Sequence, residues 1–107
     1  MISEKTSARL EMRANILKAL AHPTRLFIVE QLADGERCVC KLQEMIGSDM
    51  STVSKHLSVL KGVGLIADDR RGNQVFYTLK APCILSVFDC VEQAVRRDLK
   101  ERTACLR

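Results

Sequence analysis

Two cysteines one residue apart, Cys38 and Cys40, are the residues of this chain best suited to chemistry. Thiolates are nucleophiles and ligands of soft metal ions, and all-sulfur ligation disfavours hard cations such as Mg²⁺ and Ca²⁺. The spacing alone leaves four interpretations open: two small buried hydrophobic residues, a disulfide, a redox switch, or part of a metal site. The elements around the pair have to decide what it does.

The composition predicts one globular domain over residues 1–107, since 47% of the chain is hydrophobic and 28% is charged. No apolar stretch resembles a signal peptide or approaches the roughly 18 residues of a membrane span. We therefore expect a cytoplasmic protein with no membrane partner. Cytosolic thiols stay reduced, and five cysteines are an odd number, so a disulfide framework is not expected. The net charge of +4 permits nucleic-acid binding without proving it.

Two short amphipathic segments follow one another closely, and the first begins at the second thiol. The first is a predicted helix from about Cys40 to Ile46, closed by Gly47, and the second begins at the N-cap Asp49. Two short helices joined by a tight, glycine-containing turn indicate a helix-turn-helix. The second helix carries side chains that suit DNA phosphates and base edges, and the predicted contacts are Ser51, Thr52, Ser54, Lys55 and His56.

The next segment has the pattern of a β-hairpin. Strand-forming residues flank "RRGN", and Gly72 followed by Asn73 is a typical hairpin dipeptide. A helix-turn-helix followed by a two-stranded ribbon is a winged helix, so we expect a mainly helical fold with a β-hairpin wing. Arg70, Arg71 and Asn73 at the predicted wing tip are candidate DNA contacts, to the backbone or in the minor groove.

The first and last helices are predicted to form a dimer interface. The first runs from about Ser7 to Ala21, and the last from about Pro82 to Thr103. The apolar stripe of the last helix is longer than a domain of this size needs for its own core. A homodimer would present two reading helices to a two-fold symmetric site on double-stranded DNA.

Four segments of this chain together resemble the ArsR/SmtB family of metal-responsive repressors. "LKALAHPTRLFIVEQL", "ERCVCKL", "STVSKHLSVLKGVGLI" and "RRGNQVFYTL" occur in the family's order and spacing, over about residues 14 to 80. The resemblance implies a winged-helix homodimer that binds its operator when metal-free and releases it on binding a metal or metalloid. In the arsenic-responsive branch the inducer is As(III) or Sb(III), and the matching Cys-Val-Cys supplies two of its ligands, here Cys38 and Cys40.

The chain departs from that family pattern at three places. Arsenic sensors whose site lies wholly on this helix have a third cysteine where this chain has Gln43. Other relatives complete the metal site with cysteines of an N-terminal arm, but this chain has no cysteine before Cys38. The zinc-sensing branch uses histidines and carboxylates of the last helix. This last helix has Asp89 and Glu92 but no histidine, so that zinc site is not expected.

The geometry of the pair limits how it can hold an ion. In a regular helix, residues two apart point in nearly opposite directions, whereas in an extended segment they share a face. Cys38 and Cys40 must therefore lie on an extended lead-in or a frayed first turn, or that turn must distort on binding. Drawing the sulfurs together would strain the helix-turn-helix. A soft metal or metalloid site is the first interpretation, a redox or persulfide switch the second, and structural burial the third.

A third thiolate has to come from the C-terminal part of the chain. Cys83 ranks first because it opens the last helix beyond the wing strand, which in winged helices pairs with the segment before the third helix. Cys90 ranks second and Cys105 third. Cys83 and Cys90 lie about 10 Å apart along a helix axis, so both cannot hold one ion. Other soft ions such as Cd, Pb or Zn remain alternatives, and the site could lie within one subunit or across a dimer.

An enzyme is not expected. The chain has no C-x-x-C motif, no βαβ pattern around the thiols, and no Ser-His-Asp or phosphate-loop signature. His22, which stands before Pro23 at a helix entry, is interpreted as structural. A metal-buffering or chaperone role would use the thiols and leave the wing and the reading helix unexplained. No permanent cofactor is predicted.

Overall fold

The computed structural model describes residues 1–105, with the side chain of Cys105 outside the described part. Within that part the chain forms five helices and three strands. Their order is α1 (Glu4–Leu20), α2 (Pro23–Ala33), β1 (Arg37–Cys38), α3 (Val39–Ile46), α4 (Met50–Gly62), β2 (Ile66–Arg71), β3 (Gln74–Leu79) and α5 (Ile84–Cys105). The predicted mainly helical fold with a hairpin wing is confirmed.

The ends of the helices follow from capping residues in the sequence. Asp49 is the N-cap of α4, and its Oδ1 accepts a hydrogen bond from the Thr52 backbone N–H at 3.2 Å. Gly47 ends α3 in the left-handed conformation with φ 82°, which a residue without Cβ adopts at low cost. His22 is the N-cap of α2, where its Nδ1 accepts from the backbone N–H of Thr24 at 3.1 Å. Its structural role is confirmed.

Three helices begin one to three residues away from their predicted starts. Helix α1 begins at Glu4, not near Ser7, because the Ser3 hydroxyl caps it by accepting from the Thr6 N–H at 3.2 Å. Helix α3 begins at Val39. Helix α5 begins at Ile84, not at Pro82, because a turn precedes it in which the Ile84 N–H donates to the Ala81 carbonyl at 3.1 Å.

The wing is an antiparallel hairpin of β2 and β3, with Gly72 and Asn73 as its two turn residues. Gly72 has φ 62°, the conformation that such a turn requires. Strand β3 also pairs with β1, which gives the sheet order β1-β3-β2. In this register Cys38 lies opposite Phe76. The wing is thus hydrogen-bonded to the segment that carries the first thiol, as expected of winged helices in general.

The core lies between the helix-turn-helix and the base of the wing. The predicted stripe of α4, formed by Val53, Leu57 and Leu60, is fully buried against α2 and α3. The rest of the buried cluster comes from neighbouring elements: Leu20, Ile28, Val29, Leu32, Leu42, Leu65 and Ile66. This core fixes α4 on the domain, so its opposite side is presented outward.

Helix α5 extends away from this core. Ile84, Leu85 and Phe88 pack against the cluster, whereas Val87, Val91, Val95 and Leu99 are each more than half exposed. The radius of gyration is 17.4 Å, compared with about 13 Å for a compact domain of this length. An exposed apolar stripe on a projecting helix is expected of a subunit that packs against another one. Over residues 1–105, no helix combines the length and apolarity needed to cross a membrane.

Candidate thiol site and nucleic-acid interface

The two thiols lie at the point where β1 becomes α3. Cys38 is the N-cap of α3, with extended backbone angles φ −74° and ψ 154°, and Cys40 lies in the first helical turn. The Cys38 Sγ accepts a hydrogen bond from the Lys41 backbone N–H at 3.3 Å. Cys38 therefore lies on the predicted extended lead-in, and Cys40 follows two residues later in the first turn of the helix.

The pKa values of the two thiols are shifted in opposite directions. The neighbouring Cys40 side chain and then the Lys41 N–H lower the pKa of Cys38. The neighbouring Cys38 side chain raises the pKa of Cys40. Helix N-termini also favour negative charge. We therefore expect Cys38 to ionise first, with Cys40 two residues away as a second donor atom.

Replacing Cys40 with alanine is expected to raise the pKa of Cys38, because Cys40 is the neighbour that lowers that pKa most. The thiolate fraction at neutral pH then falls, and alkylation of Cys38 by iodoacetamide slows. The rate would be measured against pH in a chain whose Cys83, Cys90 and Cys105 are serine.

The matched variant Cys38→Ala, in the same background, should shift in the opposite direction. The pKa of Cys40 falls when Cys38 is removed, so its alkylation becomes faster at neutral pH. Identical pH profiles for Cys38 with and without its neighbour would contradict the effect of Cys40 on the pKa of Cys38.

The structure does not bring the predicted third ligand to this pair within one chain. Cys83 and Cys90 are both exposed, and the side chains described up to residue 104 contain no group of three Cys, His, Asp or Glu that could hold a metal ion. The reason is that β3 continues beyond Phe76, the residue opposite Cys38, before the chain reaches Cys83. At a rise of about 3.3 Å per residue, the strand from Phe76 to Leu79 spans some 10 Å, and Cys83 lies in the turn that follows. The side chain of Cys105 lies outside the described residues.

The outward side of α4 carries most of the predicted reading residues. Ser51, Thr52, Ser54 and Lys55 are exposed. The nearby Thr52 side chain, followed by the Thr52 backbone N–H that donates to the capping carboxylate, lowers the pKa of Asp49, so Thr52 is partly engaged within the helix start. Short hydroxyls leave room for a groove to approach the helix closely, and Lys55 can extend to a phosphate.

His56 lies at the edge of that outward side and is half-buried, and its contact with DNA stays a prediction. It follows the buried Val53 by three residues and precedes the buried Leu60 by four, which places it at the edge of the core stripe. Its Nδ1 accepts a hydrogen bond from the Nε of Arg25 at 3.1 Å, and its ring centroid lies 4.5 Å from that of His22. Partial burial, followed by the nearby His22 and Arg25, lowers the pKa of His56. Any DNA contact of His56 is therefore left to its Nε2–H, as a donor.

Arg25 is a functional candidate that the sequence did not single out. Its Nε is bound to His56, and its Nη1 donates to the Ala19 carbonyl at 3.4 Å, so α2 is tied to the reading helix. The sequence did contain an indication of this role. Arg25 is the third residue of α2, and a cation in the first turn of a helix opposes the helix dipole. An arginine at this position is therefore expected to bind a partner outside its own helix.

The two wing arginines differ in their surroundings. Arg70 makes no ion pair with any of the described residues, whereas Arg71 is bound by two carboxylates. Its Nη1 and Nη2 donate to Glu36 at 2.7 and 2.9 Å, and its Nε donates to Asp69 at 2.9 Å. These carboxylates raise the pKa of Arg71 above its ordinary range. Arg70 therefore remains available for the predicted DNA contact, whereas the charge of Arg71 is compensated within the protein. Asn73 is exposed at the tip.

Comparison with known proteins identifies this arrangement. A family model described as "Bacterial regulatory protein, arsR family" matches residues 22–68. The chain is 34% identical over 97 residues to the HTH-type transcriptional regulator Rv0081 of Mycobacterium tuberculosis, covering 90% of this chain and 85% of that protein. It is 39% identical over 79 residues to the biofilm growth-associated repressor of Xylella fastidiosa, covering 74% of this chain and 69% of that repressor.

Solved structures agree with the fold. The crystal structure of Rv0081 superimposes with a TM-score of 0.74 at 33% identity, covering 88% of this chain and 95% of that one. The solution structure of the homodimeric winged helix-turn-helix DNA-binding domain of Mb0332 from Mycobacterium bovis gives a TM-score of 0.77 at 31% identity. In that comparison 92% of each chain is covered.

Proposed function

Because the chain belongs to the arsR family of bacterial regulatory proteins, we propose that it is a homodimeric repressor whose operator is released when Cys38 and Cys40 bind As(III) or Sb(III). The family assignment makes it a DNA-binding regulator of transcription and not an enzyme. The observation that carries the inducer proposal is the placement of the two thiols at the start of α3, where Cys38 is the N-cap and Cys40 lies in the first turn. The repressor named in Xylella fastidiosa supports the direction of regulation.

The chemistry of the pair fits a soft metalloid. Cys38 has a lowered pKa, and Cys40 supplies a second sulfur two residues away at the start of the same helix. When bound, As(III) or Sb(III) would be held by these two sulfurs, because both elements prefer thiolate to oxygen ligands. Cys83 remains the first candidate for a third thiolate, followed by Cys90 and Cys105. Because Cys83 and the pair are separate within one chain, we infer that the third sulfur comes from the partner subunit or after a rearrangement of the turn before α5.

Release follows from the double role of Cys38. Its sulfur is both a proposed ligand and the cap that accepts from the Lys41 N–H at the start of α3. When the Cys38 sulfur binds an ion that it shares with Cys40, it no longer accepts the capping hydrogen bond from the Lys41 N–H in the same way. The first turn of α3 therefore has to move. Helix α3 is joined to α4 through only Gly47, Ser48 and Asp49. A change at the thiols therefore reaches the reading helix over a short path.

The proposed dimer uses α1 and α5. Each subunit presents one α4 and one wing, so two copies are needed to read two half-sites of an operator. The exposed apolar residues of α5, together with Leu10, Met12 and Leu17 of α1, would be covered in the dimer. The homodimer reported for the Mycobacterium bovis domain supports this arrangement.

Replacing Val91 and Leu99 together with aspartate is expected to convert the dimer to monomers, because buried, unpaired carboxylates would oppose the apolar interface. Light scattering should report the 12.0 kDa mass of one chain in place of twice that value. Operator affinity should fall about a hundredfold or more, because the half-sites are no longer bound together. Gln93→Asp on the opposite side of α5 is the control, and it should remain dimeric. A wild-type chain that is monomeric at micromolar concentration with full operator affinity would contradict the dimer.

The test of the function is a gel shift with DNA from upstream of the protein's own gene, with and without arsenite. The proposal predicts a retarded complex that dissociates when arsenite or antimonite is added. A complex that forms but resists arsenite while Cd, Pb or Zn dissociates it would assign a different soft metal. The absence of any complex with double-stranded DNA would contradict the repressor itself.

A second candidate function uses the same thiols without a metal. Two free thiols two residues apart, one of them with a lowered pKa, are also the arrangement of an oxidation-sensitive switch. The regulator would then release DNA when a persulfide or another oxidant converts the pair to a disulfide or polysulfide. Wild-type protein that ignores arsenite and responds to persulfide in the same gel shift would favour this candidate.

A further inference from the structure

Arg71 is held between three groups at the end of β2. Both Nη atoms contact the Glu36 carboxylate at 2.7 and 2.9 Å, the Nε contacts Asp69 at 2.9 Å, and the guanidinium carbon lies 4.5 Å from the centre of the Phe76 ring. We call these four residues the wing clamp: Glu36, Asp69, Arg71 and Phe76. A bidentate guanidinium–carboxylate pair fixes distance and orientation together, and the ring fixes the plane of the guanidinium.

The wing clamp joins the wing to the segment that carries the thiols. Glu36 precedes Cys38 by two residues, and Cys38 lies opposite Phe76 in the β1–β3 register. Phe76 therefore contacts Arg71 through its ring and pairs with Cys38 through its strand. The ion pair spans 35 residues of sequence. Any displacement of Cys38 thus acts on Arg71 by two routes, through Glu36 and through Phe76.

The charges of the wing clamp argue against a phosphate contact by Arg71 while the clamp is closed. Two carboxylates surround one guanidinium, so the group has a net charge of −1. Isolated surface ion pairs contribute little because water screens them, but a bidentate pair within a network is the exception. Arg71 is better placed to hold the wing than to bind DNA.

We propose that the wing clamp transmits occupation of the Cys38–Cys40 pair to the wing, with Glu36 and Arg71 as positioning residues. This inference rests on the proposed function, in which that pair is the inducer site. When the two sulfurs are drawn together, the end of β1 moves and takes Glu36 and the partner strand with it. The wing then leaves the position in which Arg70 reaches the operator, in addition to the change at α4.

The first test is Glu36→Gln, which removes the ion pair and leaves the charge of Arg71 in place. Operator affinity without inducer is expected to be equal to or above that of wild type. The ratio of operator affinities without and with arsenite is expected to fall about fivefold or more, since allosteric couplings are commonly of that size. Glu44→Gln removes an exposed carboxylate from α3 that pairs with Lys41 and does not touch the wing. It is the matched control and should keep the wild-type ratio. A wild-type ratio in Glu36→Gln would overturn the proposal.

The charge swap separates a positioning role from DNA binding. Arg71→Glu alone should lose coupling, and Glu36→Arg combined with Arg71→Glu should regain it, because the ion pair is rebuilt in reverse. Absolute operator affinity of the double variant should stay low, since a carboxylate at the wing repels phosphate. If the double variant is no better coupled than Arg71→Glu alone, Arg71 does not act through Glu36 and the proposal fails.

A second readout needs neither arsenite nor DNA. Dibromobimane bridges two close thiols by forming two thioether bonds, with loss of two bromide ions and two protons. In a chain whose Cys83, Cys90 and Cys105 are serine, it would link Cys38 to Cys40. Hydrogen exchange of the wing amides, residues 66–79, should then increase when Glu36 is present and change little in Glu36→Gln. An equal increase in both would overturn the wing clamp. If arsenite fails to release DNA while this difference is seen, the proposed inducer is wrong and the clamp stands.

Discussion

Serine at position 38 or at position 40 is expected to leave operator binding intact and to remove its release by arsenite. Neither thiol lies on the outward side of α4, so the DNA contacts are unchanged. Each substitution removes one of the two sulfurs at the start of α3. The arsenite concentration for half-release should rise by at least about a hundredfold, because outer-shell changes alone weaken metal sites by about 10 to 100-fold. A gel shift or fluorescence anisotropy titration measures it.

The remaining cysteines provide the comparison for that result. Cys83→Ser, Cys90→Ser and Cys105→Ser, made one at a time, should identify the third ligand as the variant that loses part of the arsenite response. Mixing Cys38→Ser subunits with Cys83→Ser subunits would test whether the site is shared, since a shared site is rebuilt in half of the positions of a mixed dimer. Release of DNA by both Cys38→Ser and Cys40→Ser at the wild-type arsenite concentration would place the inducer site elsewhere.

Alanine at Lys55 or at Arg70 is expected to weaken operator binding about tenfold for each hydrogen bond to a phosphate that it removes, the value of a charge-assisted hydrogen bond. In a homodimer each substitution removes two such bonds. The slope of log affinity against log salt concentration should therefore become less steep by about two, because fewer counterions are released. The weakening should be similar across operator and unrelated sequences, as expected of binding to the DNA backbone. Fluorescence anisotropy over a range of salt concentrations measures both quantities.

Arg71→Ala is the internal control for Arg70→Ala. It removes the same charge from the adjacent position, but that charge is already compensated by Glu36 and Asp69. Its effect on the salt slope should be smaller than that of Arg70→Ala. Ser54→Ala should change sequence preference more than the slope, because a hydroxyl reads base edges and releases no counterion. Equal slopes for wild type and Arg70→Ala would refute the wing contact.

The parts of the fold that were predictable are those set by nearby residues. The N-cap Asp49 and the apolar spacing of Val53, Leu57 and Leu60 lie within one helix, and the structure places all four as expected. The Gly72–Asn73 turn is equally local, because its backbone geometry depends on those two residues. The pairing of β3 with the segment before α3 was expected from winged helices in general, and it fixes where Cys38 lies.

The parts of the site that were not predictable depend on pairs of residues far apart in sequence. The DNA contacts predicted for His56 and Arg71 stay predictions, and the structure adds partners within the chain. Arg25, 31 residues before His56, binds its Nδ1, and Glu36, 35 residues before Arg71, holds its guanidinium. Helical periodicity gives only the approximate direction of a side chain. For a residue at the edge of a helix face, the surrounding residues determine which partners its side chain contacts. Neither partner could be assigned from spacing along the chain.

X-ray absorption at the arsenic edge, measured on the protein–arsenite complex, tests most directly whether Cys38 and Cys40 are the inducer ligands. We expect a coordination shell of sulfur alone in wild type, with one sulfur fewer in Cys38→Ser and in Cys40→Ser. Glu44→Gln, which alters the charge of α3 without touching a thiol, should leave the shell unchanged. An oxygen shell in the wild-type complex, or the wild-type number of sulfurs in both serine variants, would contradict the assignment of the two thiols.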